Sequence, residues 1–339
     1  MQKSRVLVLI LAALVLSLLP ASAQAGGESL VVYSGRNETL IAPILAQFTE
    51  ETGVAVQVVY GDTSAVANQI LEEGANSPAD VYIGQDAGAL GALSKAGALA
   101  LLPSDVLERV PAVFQSQQGE WVGLSARARV LVYNPTEVEA LGLEMPQSIL
   151  DLTNPEYAGL VGWAPANASF QSNVTAMRVL LGDDVTAQWL ADMVANGAVS
   201  YGSSNTNLNL AVASGEVVFG ITNHYYMHNL KKQDPALNLE QAVFPAGDAG
   251  SLVNIAGAGV LTTSSKPALA QRLILYLLGD NAQTYFTEQT SEYPLVEGIA
   301  VNEALIPLES IVQPAIDLSD LDDLQATLAM IEGSGALDQ

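Results

Sequence analysis

The chain of 339 residues has no cysteine, only two histidines, and 12 Lys+Arg against 36 Asp+Glu. Without cysteine there is no disulfide framework, no thiolate metal site, no cysteine nucleophile and no N-terminal cysteine to carry a lipid, so the product is not a lipoprotein. Any metal must be held by oxygen or imidazole. A net charge of −24 excludes nucleic acid and anionic membrane surfaces as partners, because both are bound through clustered Lys and Arg. Long apolar runs are scarce beyond the first 25 residues; even residues 87–102 carry Lys95 and several glycines. Hydrolytic and nucleotide motifs are missing as well. Gly123-Leu124-Ser125-Ala126-Arg127 lacks the final glycine of a nucleophile elbow, and there is no phosphate-binding loop or Gly-x-Gly-x-x-Gly. Both histidines, His224 and His228, lie within about one helical turn, so any triad would have to use that segment. A binding protein rather than an enzyme is expected, with a motif-free secreted hydrolase as the remote alternative.

Residues 1–25 place Lys3 and Arg5 before an apolar run, then Pro20 and Ala-Ser-Ala-Gln-Ala. That is the pattern of a cleaved secretory signal; its apolar run falls short of the roughly 20 residues needed to span a bilayer. Cleavage takes the charge from −24 to −26. Downstream, short β-branched runs alternate with helical periodicity. Strands are expected at residues 29–33, 54–60, 80–83, 159–163 and 217–222. Helices are expected at residues 40–52, 65–73, 172–181, 185–195 and 268–278, and a C-terminal helical stripe at residues 316–331 follows a Ser319 cap. This order predicts α/β architecture in two lobes, each a mostly parallel mixed sheet flanked by helices. The expected division is residues 29–128 with about 256–306 in an N-lobe, and about 129–255 with 307–339 in a C-lobe. Residues 125–134 make the first crossing.

In open α/β sheets, ligands sit beyond the carboxyl ends of strands. The turns there carry Arg36-Asn37-Glu38, Gly84-Gln85-Asp86 and Asn223-His224-Tyr225-Tyr226, and Asn167-Ala168-Ser169 runs into a helix N-terminus suited to an anion. Adjacent tyrosines are unusual in an aromatic-poor chain. Neighbours diverge in a strand or a helix, whereas at a loop two phenols can converge. A phenol ionises near pH 10 unless a hard Lewis acid replaces its proton, as a ferric ion can. Alternatively the tyrosines close a cleft over an organic or oxyanion solute, or His224 and His228 pair on Zn2+ or Mn2+.

Over nearly its whole mature length the chain resembles the periplasmic ferric-ion-binding proteins of bacterial ABC importers. The resemblance rests on Val-Val-Tyr-Ser-Gly-Arg (31–36), Tyr-Gly-Asp-Thr (60–63), Ser-Pro-Ala-Asp-Val-Tyr (77–82), Ala-Arg-Val-Leu-Val-Tyr-Asn (128–134), Asn-His-Tyr-Tyr (223–226) and Glu-Tyr-Pro-Leu-Val (292–296). It implies a class II periplasmic binding fold that closes on Fe3+. Tyr225 and Tyr226 match the tyrosinate ligands; Gln85, Asn167, Ser169, Asn205 and Asn223 match residues around a synergistic anion, carbonate or phosphate. Arg36 and Arg127 are further anion candidates, by bidentate hydrogen bonds. The chain departs from the pattern at Asn37, where some members have histidine; at Gly84, where others have a glutamate ligand; and near Asn167, where a third tyrosine is missing. Glu38 is the substitute ligand to consider. The resemblance further implies a periplasmic monomer delivering iron to an inner-membrane ABC permease, with no membrane insertion after signal cleavage.

Overall fold

A computed structural model describes residues 28–338, so the expected signal segment lies outside them. The N-terminal part alternates β1 (Ser29–Ser34), α1 (Glu38–Thr52), β2 (Ala55–Tyr60), α2 (Thr63–Glu73), β3 (Val81–Gly84) and α3 (Ala87–Lys95). After α4 (Ser104–Leu107) come the long β4 (Trp121–Tyr133), α5 (Pro135–Leu141), β5 (Val161–Trp163), α6 (Ala168–Leu181), α7 (Asp183–Ala195), β6 (Val199–Ser200) and α8 (Asn205–Ser214). Then β7 (Phe219–Asn223) runs directly into α9 (His224–Gln233), followed by β8 (Glu240–Ala242) and β9 (Val253–Val260). The chain ends through α10 (Pro267–Leu277), α11 (Asp280–Glu288), β10 (Tyr293–Pro294) and α12 (Leu324–Gly333).

Local chemistry explains the first of these elements. Ile41, Ile44, Leu45 and Phe48 recur on the buried face of α1, the Asn37 side chain accepts the Thr39 N–H at its start, and Gly53 ends it at φ 74°, where a Cβ is disfavoured. Strand order is β2-β1-β3-β9-β4-β7-β5-β6, with β8 and β10 also paired to β4. Parallel pairs β1·β2 and β1·β3 form one side and parallel pairs β5·β7 and β5·β6 the other; the pairs made by β4 and β9 are antiparallel. Between them runs β4, buried along almost its whole length. Its residues 121–128 pair with β9, whereas residues 129–133 pair with β7. One strand thus belongs to both lobes of a two-lobed α/β fold. The second lobe has its own aromatic core, in which Trp163 meets Phe170 edge-on at 5.6 Å and Trp189 at 6.4 Å.

Three local expectations are corrected. The helix expected from residue 172 begins at Ala168, because the Asn167 side chain accepts the Ser169 N–H and caps it four residues earlier. The C-terminal stripe is not one helix: Leu318–Asp322 is a 3-10 turn, and α12 starts behind Asp323, whose carboxylate accepts the Ala326 N–H. The break comes from tertiary contact, because this segment lies backbone-on against α3. A Cβ on Gly88 would stand 2.3 Å from the Leu321 carbonyl oxygen, and one on Gly91 2.4 Å from that of Ser319. Finally, Tyr225 and Tyr226 are not in a loop but in the first turn of α9. Among the described residues no helix is long and apolar enough to cross a membrane.

Candidate metal centre

The carboxyl ends of β1, β2, β3, β5 and β7 open onto one cleft of about 1030 Å3. The first lobe contributes Gly35, Asn37, residues 61–65 and Gln85. The second contributes residues 166–169, Tyr225, Tyr226 and Asn229, and α12 adds Leu324 and Leu328. Of the residues singled out in the sequence, Asn37, Gln85, Asn167, Ser169, Tyr225 and Tyr226 therefore line one cleft, the first two from one lobe and the other four from the other. Asn223, Asn205, Arg36 and Arg127 lie buried and off its lining, and Glu38 is exposed on the first turn of α1, beside Asn37 but not on the lining.

The two phenols converge even though they are helical neighbours, with ring centroids 4.5 Å apart and planes tilted by 34°. Burial drives the Tyr225 pKa far above that of an ordinary phenol, and the adjacent Tyr226 adds to the rise; the Arg127 charge and the Asn223 amide oppose it. Asn223 Nδ2 donates to both the Tyr225 hydroxyl (3.2 Å) and Ser169 Oγ (3.1 Å), and its Oδ1 accepts from Arg129 Nη1 (3.1 Å). Arg129 also donates to the Ile221 carbonyl. Burial lowers its pKa to about 10, so it stays charged at neutral pH. Sequence reasoning missed Arg129. The signal was present in Ser-Ala-Arg-Ala-Arg, whose alternation along a strand puts Arg127 and Arg129 on one face.

Three buried guanidiniums lie off the cleft wall, and their partners differ. Arg36 is committed to the Glu292 carboxylate and to Ser125 Oγ (3.2 Å), and lies over the Phe286 ring. Burial raises the Glu292 pKa, but Arg36 and Arg127 outweigh it and keep the carboxylate ionised. Arg127 has no hydrogen-bond partner at Nε, Nη1 or Nη2 among the described residues, although it is 2% exposed; both polar side-chain atoms of Asn205 and the Gln85 carbonyl oxygen are likewise unpartnered. Unsatisfied polar groups at this depth are uncommon in folded proteins, and Arg127 is the guanidinium here with all three nitrogens unpartnered. Asn167 is already engaged through both amide atoms, accepting from the Ser169 N–H and donating to the Ser203 carbonyl at 2.9 Å.

The imidazole pair does not form. His224 and His228 ring centroids lie 6.4 Å apart; His224 uses Nδ1 on the Ala128 N–H and Nε2 on the Ser291 carbonyl, and His228 Nε2 faces Gln241 Nε2. Among the described residues no group of three or more His, Asp or Glu is placed to hold a metal ion. Gly84, where a carboxylate ligand would fall by resemblance, has little room for one: a Cβ there would be 3.0 Å from the Asp86 carbonyl oxygen and 3.1 Å from the Tyr82 ring. What the cleft offers a hard cation is the pair of phenols of Tyr225 and Tyr226, with the Arg127 charge near enough to oppose the rise in the Tyr225 pKa.

Comparison with known proteins agrees with this architecture. The bacterial extracellular solute-binding protein family matches residues 44–306. A "Fe(3+)-binding periplasmic protein" of Serratia marcescens is 32% identical over 315 residues, covering 92% of each chain. Iron-bound HitA from Pseudomonas aeruginosa superposes with a TM-score of 0.83 at 32% identity, covering 91% of this chain and 99% of HitA. The Trichodesmium protein IdiA (FutA), solved with iron and citrate, superposes with a TM-score of 0.77 at 29% identity over 91% of this chain and 99% of its own. By sequence and by fold, the chain belongs to the bacterial extracellular solute-binding protein family, with periplasmic ferric-ion-binding proteins among its relatives.

Proposed function

We propose that the protein is the extracytoplasmic binding component of an iron(III) importer, capturing Fe3+ between its lobes and delivering it to a membrane permease. The observation that carries this reading is the pair of converging phenols on the cleft wall with an unpartnered guanidinium behind them. Two phenolates offset two of the three charges of Fe3+, and a small oxyanion such as carbonate or phosphate supplies the third and fills remaining coordination positions. Arg127 is the guanidinium free to hold that anion, because Arg36 is tied to Glu292. Gln85, Ser169, Asn205 and Asn223 supply amide and hydroxyl contacts, while Asn167 shapes the loop as a cap. Asn37 lines the first-lobe side of the cleft, and Glu38, beside it on the rim, joins the site only through lobe closure. Relatives that carry the words "periplasmic" and "iron uptake" in their names support placement outside the inner membrane and a permease as partner.

Adding ferric ion with bicarbonate to metal-stripped protein tests the proposal. A visible tyrosinate-to-iron charge-transfer band is expected, lost in Tyr225→Phe/Tyr226→Phe. Absence of the band in the unaltered protein rejects ferric capture in favour of the second reading, an anionic organic solute bound without metal. Calorimetry on metal-free protein with anionic organic solutes would register that second mode of binding.

A further inference from the structure

His224 opens α9, directly before the two tyrosines, and is fully buried. A backbone N–H can only donate and a carbonyl can only accept, so its contacts define its tautomer. Nδ1 accepts from the Ala128 N–H at 3.2 Å, and Nε2 carries the proton and donates to the Ser291 carbonyl at 2.8 Å. Both partners sit at junctions. Ala128 is the last β4 residue paired with β9 before Arg129 pairs with β7. Ser291 is the one non-glycine residue with positive φ (57°) among the described residues, in the loop between α11 and β10. Such a backbone conformation persists only where surrounding contacts hold it. Here they come from α9: Ser291 Oγ donates to Asn229 Oδ1 and accepts from Lys232 Nζ, each at 3.0 Å, and Lys232 also donates to the Glu288 carbonyl. The imidazole stacks on Tyr293 at 4.4 Å, and Tyr293 pairs with Ala126 of β4. The intervening Glu292 holds Arg36 and Ser125.

We infer that His224 is a positioning residue that pins the tyrosine-bearing helix to the strand shared by the lobes and to the Ser291–Glu292 loop, fixing where Tyr225 and Tyr226 point. Its effect on iron rests on the ferric reading above; its effect on the tyrosines does not. Other side-chain ties of α9, at His228, Asn229 and Lys232, lie a turn or more beyond its start, and at the phenols the Tyr225 hydroxyl accepts from Asn223. Through Glu292 and Arg36, the same pin connects the helix to the turn after β1 that lines the opposite side of the cleft.

The test uses the whole mature protein. In the metal-free state, 15N NMR should find the His224 ring proton on Nε2 and the Ala128 amide resistant to solvent exchange. His224→Phe keeps the stack on Tyr293 but removes both hydrogen bonds. It should shift the ring resonances of Tyr225 and Tyr226 in the absence of metal, and with ferric ion and bicarbonate lower affinity by about 10- to 100-fold, as loss of a group supporting metal ligands does. His224→Gln, whose amide can again donate to the Ser291 carbonyl, should recover most of that loss; Lys232→Met, which keeps the imidazole but loosens Ser291, should lose less than His224→Phe. Unchanged tyrosine resonances in a folded His224→Phe, or a wild-type ring proton on Nδ1, would overturn the inference. If His224→Phe does not fold, the wild-type tautomer decides together with His224→Ala, whose tyrosine resonances should move while those of His224→Gln stay near wild type; resonances unmoved in both overturn the inference. If the unaltered protein shows no charge-transfer band, the ferric reading fails while the metal-free resonances still judge the pin.

Discussion

Tyr225 illustrates what a single residue must do before it can bind a cation. Its phenol is held protonated by burial and by Tyr226, so a metal must displace the proton rather than meet a preformed phenolate. Each bound ferric ion should therefore release about two protons, and apparent affinity should rise by roughly two decades per pH unit below the phenol range. Titration of weakly buffered protein with ferric ion would count them, and acidification would favour release. Arg127 is the second decisive residue. Arg127→Met should reduce ferric affinity in bicarbonate by about 10- to 100-fold, as removal of a supporting group does, and make binding less dependent on bicarbonate, read by competition with a chelator. Alternation along the strand places Arg127 and Arg129 together in the sequence, but their inequality is tertiary: Arg129 is hydrogen-bonded to Asn223 and Ile221, whereas Arg127 has no hydrogen-bond partner among the described residues and acts on Asp86, Tyr225 and Glu292 through its charge alone.

At the scale of elements, the end of α1 was legible at Gly53, whereas the starts set by the side-chain caps Asn37 and Asn167 fall two and four residues before the first periodic residue. Other boundaries were misread where packing decides. The C-terminal stripe has helical periodicity throughout, yet Leu318–Asp322 is held against α3 by close backbone approach at Gly88 and Gly91 and leaves the α-helical path. Lys95 of α3 reinforces the contact at Asp322 (2.7 Å), while Arg178 of α6 holds the next residue, Asp323 (2.9 Å). Exposed pairs such as Lys95–Asp322 contribute little by themselves, so the glycines matter more. Gly91→Ala should destabilise the protein by about 1–3 kcal/mol through overpacking, measured by urea denaturation. The tyrosine turn was misjudged for a related reason: helical neighbours usually diverge, but two large rings at a helix start, with one helix face held by His224 and Lys232, still meet over the cleft.

For the whole molecule, a net charge of −24 coexists with three arginines, Arg36, Arg127 and Arg129, buried off the cleft lining. Closure about β4 should shrink the radius of gyration measured by X-ray scattering when ferric ion and bicarbonate are added, and not with bicarbonate alone. Glu292 ties together the two ends of that architecture. Its folded pKa lies below the unfolded carboxylate value of about 4.3, so its contribution is complete above that value and lost as pH falls through the folded one. Glu292→Gln should remove that acid dependence and destabilise by about 3–5 kcal/mol, because Arg36 is left buried and unpaired; chemical denaturation across pH would show both. By itself, the amino-acid sequence determined the export pattern, the α/β alternation, the absence of thiolate chemistry and the tyrosine pair, because each is encoded in local composition and period. Only the tertiary structure decided that Arg36 is spent on Glu292 while Arg127 is not, that Glu38 stands off the cleft wall, and that His224 is engaged on both ring nitrogens. Those distinctions depend on which distant segments meet, and no local pattern carries that information.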